Sequence, residues 1–196
     1  MAKTKLLLWF AISVLLSHCG DGNPSKPEPR PADVLTDEGW AAFEAGNFAL
    51  AVMRFDSAKI SDANFVEAYN GAGWAYARLD DFEESGENFA NALTRSPNLT
   101  EARAGATLTN HALDDFQNAI AQALLTLTAA PNFVFSHDSS IDALDIRITL
   151  ALSYFSEGEF VNAAAQMDII DPQHSPHSTQ PDELIQEIMR FFGQIR

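Results

Sequence analysis

The chain has 196 residues, of which 46% are hydrophobic, and its formal net charge is −15 at pH 7. This apolar content is enough for one folded domain with a core, whereas the excess of acidic residues argues against a surface that binds the phosphates of nucleic acid. The only cysteine is Cys19, which excludes an intrachain disulfide and a zinc cluster built from thiolates.

The N-terminal segment has the pattern of an export signal. Lys3 and Lys5 precede an apolar run, LLLWFAISVLL, at residues 6–16. A run of this length is far shorter than the roughly 20 residues that a transmembrane helix needs. We therefore predict that residues 1–18 are a signal peptide, which is removed in the mature protein.

The end of this segment carries a candidate lipidation site. Residues 16–19, Leu-Ser-His-Cys, resemble a bacterial lipobox, in which the cysteine is diacylated and becomes the first mature residue. His18 departs from the small residue usually found before the cysteine, so secretion to the periplasm without lipid is the alternative. Gly20 follows Cys19 where an inner-membrane retention signal has aspartate. By analogy with Gram-negative lipoproteins, we expect anchoring in the outer membrane, facing the periplasm.

Residues 19–31 form the expected anchor and linker. Four prolines fall in this stretch, which has almost no apolar residues: Pro24, Pro27, Pro29 and Pro31. Proline favours an extended polyproline conformation of about 3 Å per residue. The segment is therefore predicted to be a semi-rigid spacer that holds the folded part away from the membrane.

Residues 66–98 carry the pattern of a helix-turn-helix repeat. Bulky, small and aromatic residues recur at one-turn intervals in two successive segments, and a proline closes the unit: Tyr69, Ala72, Gly73, Tyr76, Phe82, Ser85, Phe89, Ala92 and Pro97. This unit resembles a tetratricopeptide repeat.

The same pattern recurs along the chain. A shift of 34 residues aligns Phe48, Phe82 and Phe116. The predicted repeats cover about residues 32–65, 66–99, 100–133 and 140–172. The fourth repeat, with Phe160, requires ten extra residues around positions 133–140, where Ser139 or Ser140 could cap the next helix.

The C-terminal segment is predicted to be a capping helix over residues 181–196. It begins at Pro181 after a polar loop, and its apolar residues recur at helical spacing: Leu184, Ile185, Ile188, Met189, Phe192 and Ile195. The last repeat of a solenoid needs such a cover. The predicted fold is an all-α, right-handed α-solenoid of about four helix pairs plus this capping helix.

The resemblance also implies where a partner would bind. In tetratricopeptide solenoids the first helix of each repeat lines a concave groove, and by position this predicts the groove residues Trp40, Phe43, Asn70, Trp74, Arg78, Leu108, His111 and Phe155. Trp40 and Trp74 occupy equivalent positions, and two tryptophans can grip an apolar side chain or an extended peptide. The alternative is that these tryptophans pack against neighbours, or that the linker or the C-terminal helix covers them.

The sequence contains no pattern typical of catalysis. It has neither a glycine-rich phosphate loop nor a G-x-S-x-G nucleophile elbow, so we predict that the protein is not an enzyme and uses no cofactor. His174 and His177 lie in a proline-broken polar loop, and the acidic stretches 80–84 and 114–115 fit helix starts. No metal site is predicted from these patterns.

The chain as a whole resembles bacterial tetratricopeptide lipoproteins. That group includes assembly factors for outer-membrane barrels, pili and secretion, which implies a scaffold that binds a protein or peptide in its groove. The membrane contact would be made through the lipid alone. The alternative function is a small-ligand receptor that serves a transporter, which would need a closed apolar pocket involving Leu108, His111 and Phe155.

Overall fold

The computed structural model describes residues 30–192. Within this range the chain forms nine α-helices: α1 (Ala32–Glu44), α2 (Phe48–Ser61), α3 (Val66–Ala77), α4 (Phe82–Arg95), α5 (Thr100–Ala112), α6 (Phe116–Ala129), α7 (Ala143–Ser156), α8 (Phe160–Ile170) and α9 (Pro181–Phe192). The predicted signal peptide, Cys19 and most of the linker lie outside the described residues.

The helices form four pairs stacked in series. Each odd-numbered helix from α1 to α7 packs most closely on the even-numbered helix that follows it, and successive pairs then contact each other. The all-α solenoid of helix pairs with a C-terminal helix is therefore confirmed. None of the helices in residues 30–192 has the length and hydropathy needed to cross a membrane.

The turns inside the four pairs share one backbone conformation. The residue two positions before the second helix has a positive φ in every pair: Gly46 at 75°, Asp80 at 59°, Asp114 at 58° and Gly158 at 76°. In the first three pairs the next residue caps the helix through its side chain, which accepts a hydrogen bond from a backbone N–H one turn later: Asn47, Asp81 and Asp115. Helix capping therefore accounts for part of each acidic stretch.

The ring of Phe55 in α2 is fully buried between two glycines. A Cβ atom added to Gly39 of α1 would lie 2.6 Å from this ring, and one added to Gly71 of α3 would lie 2.3 Å from it. Both distances are shorter than a van der Waals contact allows, so the ring fills a space that exists only because both helices have glycine there.

The next pair repeats this arrangement. Phe89 of α4 lies between Gly73 of α3 and Gly105 of α5, whose added Cβ atoms would approach its ring to 2.7 and 2.1 Å. In the third pair, Ala123 stands at the aromatic position and Thr107 at the glycine position, and both are fully buried. In this pair the larger of the two side chains therefore belongs to the first helix instead of the second.

The connection between α6 and α7 is longer than the others and spans residues 130–142. Asp142, rather than Ser139 or Ser140, caps α7 and forms a capping box with Asp145. We refer to residues 130–142 as the groove loop.

The C-terminal helix covers the last pair. Leu184 and Ile188 of α9 are fully buried in a cluster that includes Ile148 of α7 and Met167 of α8. Phe192, on the same predicted apolar face, is 47% exposed. The buried part of α9 is therefore narrower than the sequence pattern indicates.

The two glycines Gly105 and Gly86 give a direct test of this packing. Gly105→Ala should lower the free energy of unfolding by about 1 to 3 kcal/mol, because the new methyl group overlaps the Phe89 ring. Gly86→Ala also lies within a helix, but its Cβ would meet nothing closer than 3.5 Å. It should raise stability by up to about 1 kcal/mol through helix propensity. Urea unfolding of both variants measures the difference, and equal effects would contradict the packing account.

Candidate functional site: the concave groove and the groove loop

The groove loop folds back along the first helices of the repeats and is held in shape by its own backbone. Phe135 N donates to Ile141 O at 2.9 Å, and Ala143 N donates to Phe133 O at 2.8 Å. Phe133 and Phe135 are buried, while Val134 between them is 55% exposed. This alternation is typical of an extended segment with one face against a surface.

The side chain of Phe135 fills an aromatic pocket on the concave face. Its ring stacks on Trp74 with centroids 4.1 Å apart, and it meets Trp40 and Phe43 edge-on at 6.0 and 5.9 Å. Phe135 has no exposed surface, and Trp74 and Trp40 retain only 1% and 6% of theirs. Two repeats of the solenoid therefore close around one side chain of the loop.

His137 lies beside this pocket. Its ring is parallel to the indole of Trp40 with centroids 3.7 Å apart, and its Nδ1 lies 2.8 Å from Glu44 Oε1. The stacking fixes the plane of the imidazole ring, while the carboxylate fixes which nitrogen faces α1.

Polar contacts hold the part of the loop that follows Phe135. Arg78 Nη1 donates to Asp138 Oδ2 at 2.8 Å, and the guanidinium of Arg78 also lies over the Phe48 ring. The backbone N–H of Ser136 donates to Glu101 Oε1 at 3.3 Å. Burial raises the pKa of Asp138, but hydrogen bonds from Ser140 and Arg78 outweigh it and hold that pKa below its usual value.

Two carboxylates meet under the loop. The amide Nδ2 of Asn70 donates to Glu67 Oε1 at 3.0 Å and to Glu101 Oε2 at 3.4 Å. Burial, together with the negative charge of Glu101, raises the pKa of Glu67, although Asn70 and His137 partly oppose this. The site thus concentrates acidic oxygen atoms around a fully buried amide.

The predicted groove residues separate into two groups. Trp40, Phe43, Trp74 and Arg78 all contact the groove loop, and Asn70 lies beneath it. The sequence predicts that the tryptophans are open, are covered by the linker or the C-terminal helix, or pack against neighbours, and both do meet phenylalanines of their own repeats edge-on. The segment that covers them is the groove loop, which no prediction named.

Leu108, His111 and Phe155 lie elsewhere. His111 Nδ1 is 2.9 Å from Ser153 Oγ, and burial lowers the pKa of this imidazole. Leu108 packs against the main core, whereas Phe155 packs against the separate cluster near α9. Leu108 and Phe155 therefore contribute to two different apolar clusters, whereas the small-ligand alternative requires them to line one pocket.

Sequence reasoning missed the residues that the loop contributes, which are Phe135, His137 and Asp138. The available signal was the pair Phe133 and Phe135, two apolar residues at strand spacing inside an insertion that otherwise looks like a polar turn. Cys19, the predicted lipidation site, is not among the described residues.

No family model and no curated protein matches the chain. Solved structures of MamA are similar: MamA AMB-1 has a TM-score of 0.64 at 19% identity, covering 84% of this chain and 88% of that one. MamA MSR-1 has a TM-score of 0.63 at 17% identity, covering 84% and 86%. The first TPR domain of human RPAP3 has a TM-score of 0.53 at 22% identity, covering 64% and 96%. These similarities show the fold, a tetratricopeptide-type solenoid.

Removing the Phe135 ring should separate the loop from the groove. Phe135→Ala is expected to lower the free energy of unfolding by about 3 to 5 kcal/mol, the range for truncating a buried phenylalanine. It should also shift tryptophan fluorescence to longer wavelength, because Trp40 and Trp74 gain water. Val134→Ala, one residue away and exposed, should change stability by about 0.5 kcal/mol or less. Unchanged fluorescence in Phe135→Ala would contradict the described packing.

Proposed function

We propose that this chain is a non-catalytic scaffold that holds a protein partner by an extended segment bound in its concave groove. The observation that carries the proposal is the seating of Phe135, because the groove already grips an extended segment of its own chain. An aromatic side chain fills the pocket of Trp40, Phe43 and Trp74. Such pockets, which bury a large side chain at little cost in entropy, are typical centres of binding energy.

The contacts of the groove loop define the kind of segment that fits. An aromatic residue enters the pocket, the next backbone N–H reaches Glu101, and a carboxylate three residues after the aromatic one pairs with Arg78. We therefore propose a partner segment with an aromatic residue followed at that spacing by aspartate or glutamate. The side-chain and backbone contacts together fix both its direction and its register.

The groove loop competes with any such partner. Burying a phenylalanine contributes about 2 to 3 kcal/mol, and each aromatic pair adds about 1 kcal/mol. Because the loop is tethered, its local concentration is of the order of millimolar. A free peptide should therefore bind the wild-type protein weakly, and much better when the loop is released.

A peptide in trans tests this proposal. A labelled peptide with the sequence of residues 132–139, NFVFSHDS, should bind the Phe135→Ala/His137→Ala variant saturably and bind the wild-type protein at least about tenfold more weakly. The measurement is fluorescence anisotropy, at a temperature where circular dichroism shows native helix content in the variant.

Two controls accompany the titration. The same peptide with alanine at the Phe135 position should not bind, and adding Arg78→Ala to the variant should weaken binding by about fivefold to tenfold through loss of the charged pair. Equal binding of the two peptides, or no binding of either, would contradict a groove that recognises an extended aromatic segment.

We further propose that the scaffold works at the cell envelope, anchored by lipid on Cys19 to the periplasmic face of an outer membrane, in envelope assembly or secretion. The lipobox-like residues 16–19 and the proline-rich spacer support this location. At the end of the spacer, Arg30 forms an ion pair with Glu38, and its carbonyl accepts a hydrogen bond from Ser61 at 2.8 Å. These contacts join the end of the spacer to the first helix pair.

Mass spectrometry of the mature N-terminus tests the anchor. The mature chain should begin at Cys19 and carry the added mass of the acyl chains, and the protein should fractionate with membranes. Cys19→Ser should remove the lipid and release the protein from the membrane fraction. A mature chain that starts elsewhere, or an unmodified Cys19, would contradict lipidation.

A further inference from the structure

We infer that Glu67, Glu101 and His137 form a binding site for a divalent transition-metal ion such as Zn²⁺. One potential ligand atom of each side chain lies within 4.8 Å of those of the other two. The three residues come from α3, α5 and the groove loop. Nothing in their sequence spacing connects them, because the fold alone brings them together.

The types of ligand atom and the distances between them suit such an ion. Zn²⁺ binds imidazole nitrogen and carboxylate oxygen at about 2.0 to 2.2 Å, so its ligand atoms lie roughly 3 to 4 Å apart. Closing the observed separation to this range requires side-chain movements of less than about 1 Å. A mixed set of nitrogen and oxygen ligands favours a transition metal over Ca²⁺ or Mg²⁺, which prefer oxygen alone.

The surroundings of His137 have the arrangement expected of a metal-binding histidine. Its Nδ1 lies 2.8 Å from the carboxylate of Glu44, which leaves Nε2 as the nitrogen free to coordinate. Metal-binding histidines usually donate their second N–H to a carboxylate or carbonyl, which fixes the tautomer and orients the ring. Stacking on Trp40 at 3.7 Å further restricts the ring.

The charges at the site also favour a cation. Glu67 and Glu101 share the Nδ2 of Asn70, and within residues 30–192 neither carboxylate forms an ion pair with lysine or arginine. Two partly buried carboxylates at this distance repel each other unless a proton or a metal ion is present. A divalent ion would neutralise both at once.

Asn70 lies directly beneath the two carboxylates, and its Nδ2 donates to both of them. Its side chain is completely buried, and its Oδ1 has no hydrogen-bond partner among the described residues. A buried amide oxygen without a partner costs about 1 to 3 kcal/mol.

The assigned site joins the loop to the solenoid. Glu67 and Glu101 belong to helices of the groove, whereas His137 belongs to the groove loop. A bound ion would fasten the loop over Trp40 and Trp74. Metal binding can be measured without any partner, so its failure would leave the proposed scaffold role untouched.

The test uses the untagged full-length protein, purified in detergent, stripped of metal with EDTA and titrated with Zn²⁺ by calorimetry. The wild-type protein should bind one Zn²⁺ per chain, and its melting temperature should rise with Zn²⁺ because the ion binds the folded state. Glu67→Gln and His137→Phe should each lose at least about tenfold in affinity. The first keeps the shape of the side chain, and the second keeps the stacking on Trp40.

The control variant is His174→Phe, which removes an exposed histidine paired with Asp171 at 2.8 Å. Its Zn²⁺ affinity should equal that of the wild-type protein. The assignment would be overturned by the absence of saturable binding, or by unchanged affinity in a Glu67→Gln protein that melts normally without metal. Loss of Zn²⁺ binding only in His174→Phe would also overturn it. So would a wild-type affinity for Ca²⁺ equal to that for Zn²⁺.

Discussion

Two phenylalanine rings enclosed by glycines set the spacing on which the rest of the structure depends. Phe55 and Phe89 belong to the second helices of their pairs, and each reaches between the first helix of its own pair and that of the next. This close approach brings α1, α3 and α5 side by side and places Trp40 and Trp74 on one surface. Where the aromatic residue is lost at Ala123, Thr107 replaces the glycine, so the helices stay packed.

The tryptophan pair leaves a space that the groove loop fills with Phe135. Stacking on Trp74 and edge contacts with Trp40 bury the ring completely. Three residues later in the loop, Asp138 forms an ion pair with Arg78. An apolar pocket with polar contacts beside it is a combination by which other proteins recognise extended peptides. The loop therefore occupies the surface on which the proposed partner segment would bind.

The repeats could be predicted from the sequence, but the covering of the groove by the loop could not. The second helices of the first three pairs begin at Phe48, Phe82 and Phe116. These starts could be predicted because helix pairing is local and the pattern recurs every 34 residues. The covering of Trp40 and Trp74 could not, because it depends on contacts between distant residues. Arg78 and Asp138 are 60 positions apart, and Glu44 and His137 are 93 apart. No local pattern indicates which surface a ten-residue insertion will cover.

The position of the Phe135 ring is the feature that tests this account most directly. Its centroid lies 4.1 Å from that of Trp74, so nuclear magnetic resonance of the native protein should show strong Overhauser effects between the ring protons of these two residues. The resonances of His137 should also shift upfield, because its ring stacks on Trp40 at 3.7 Å. Random-coil shifts for the groove loop, with no Overhauser effect between Phe135 and Trp74, would contradict a groove occupied by its own chain.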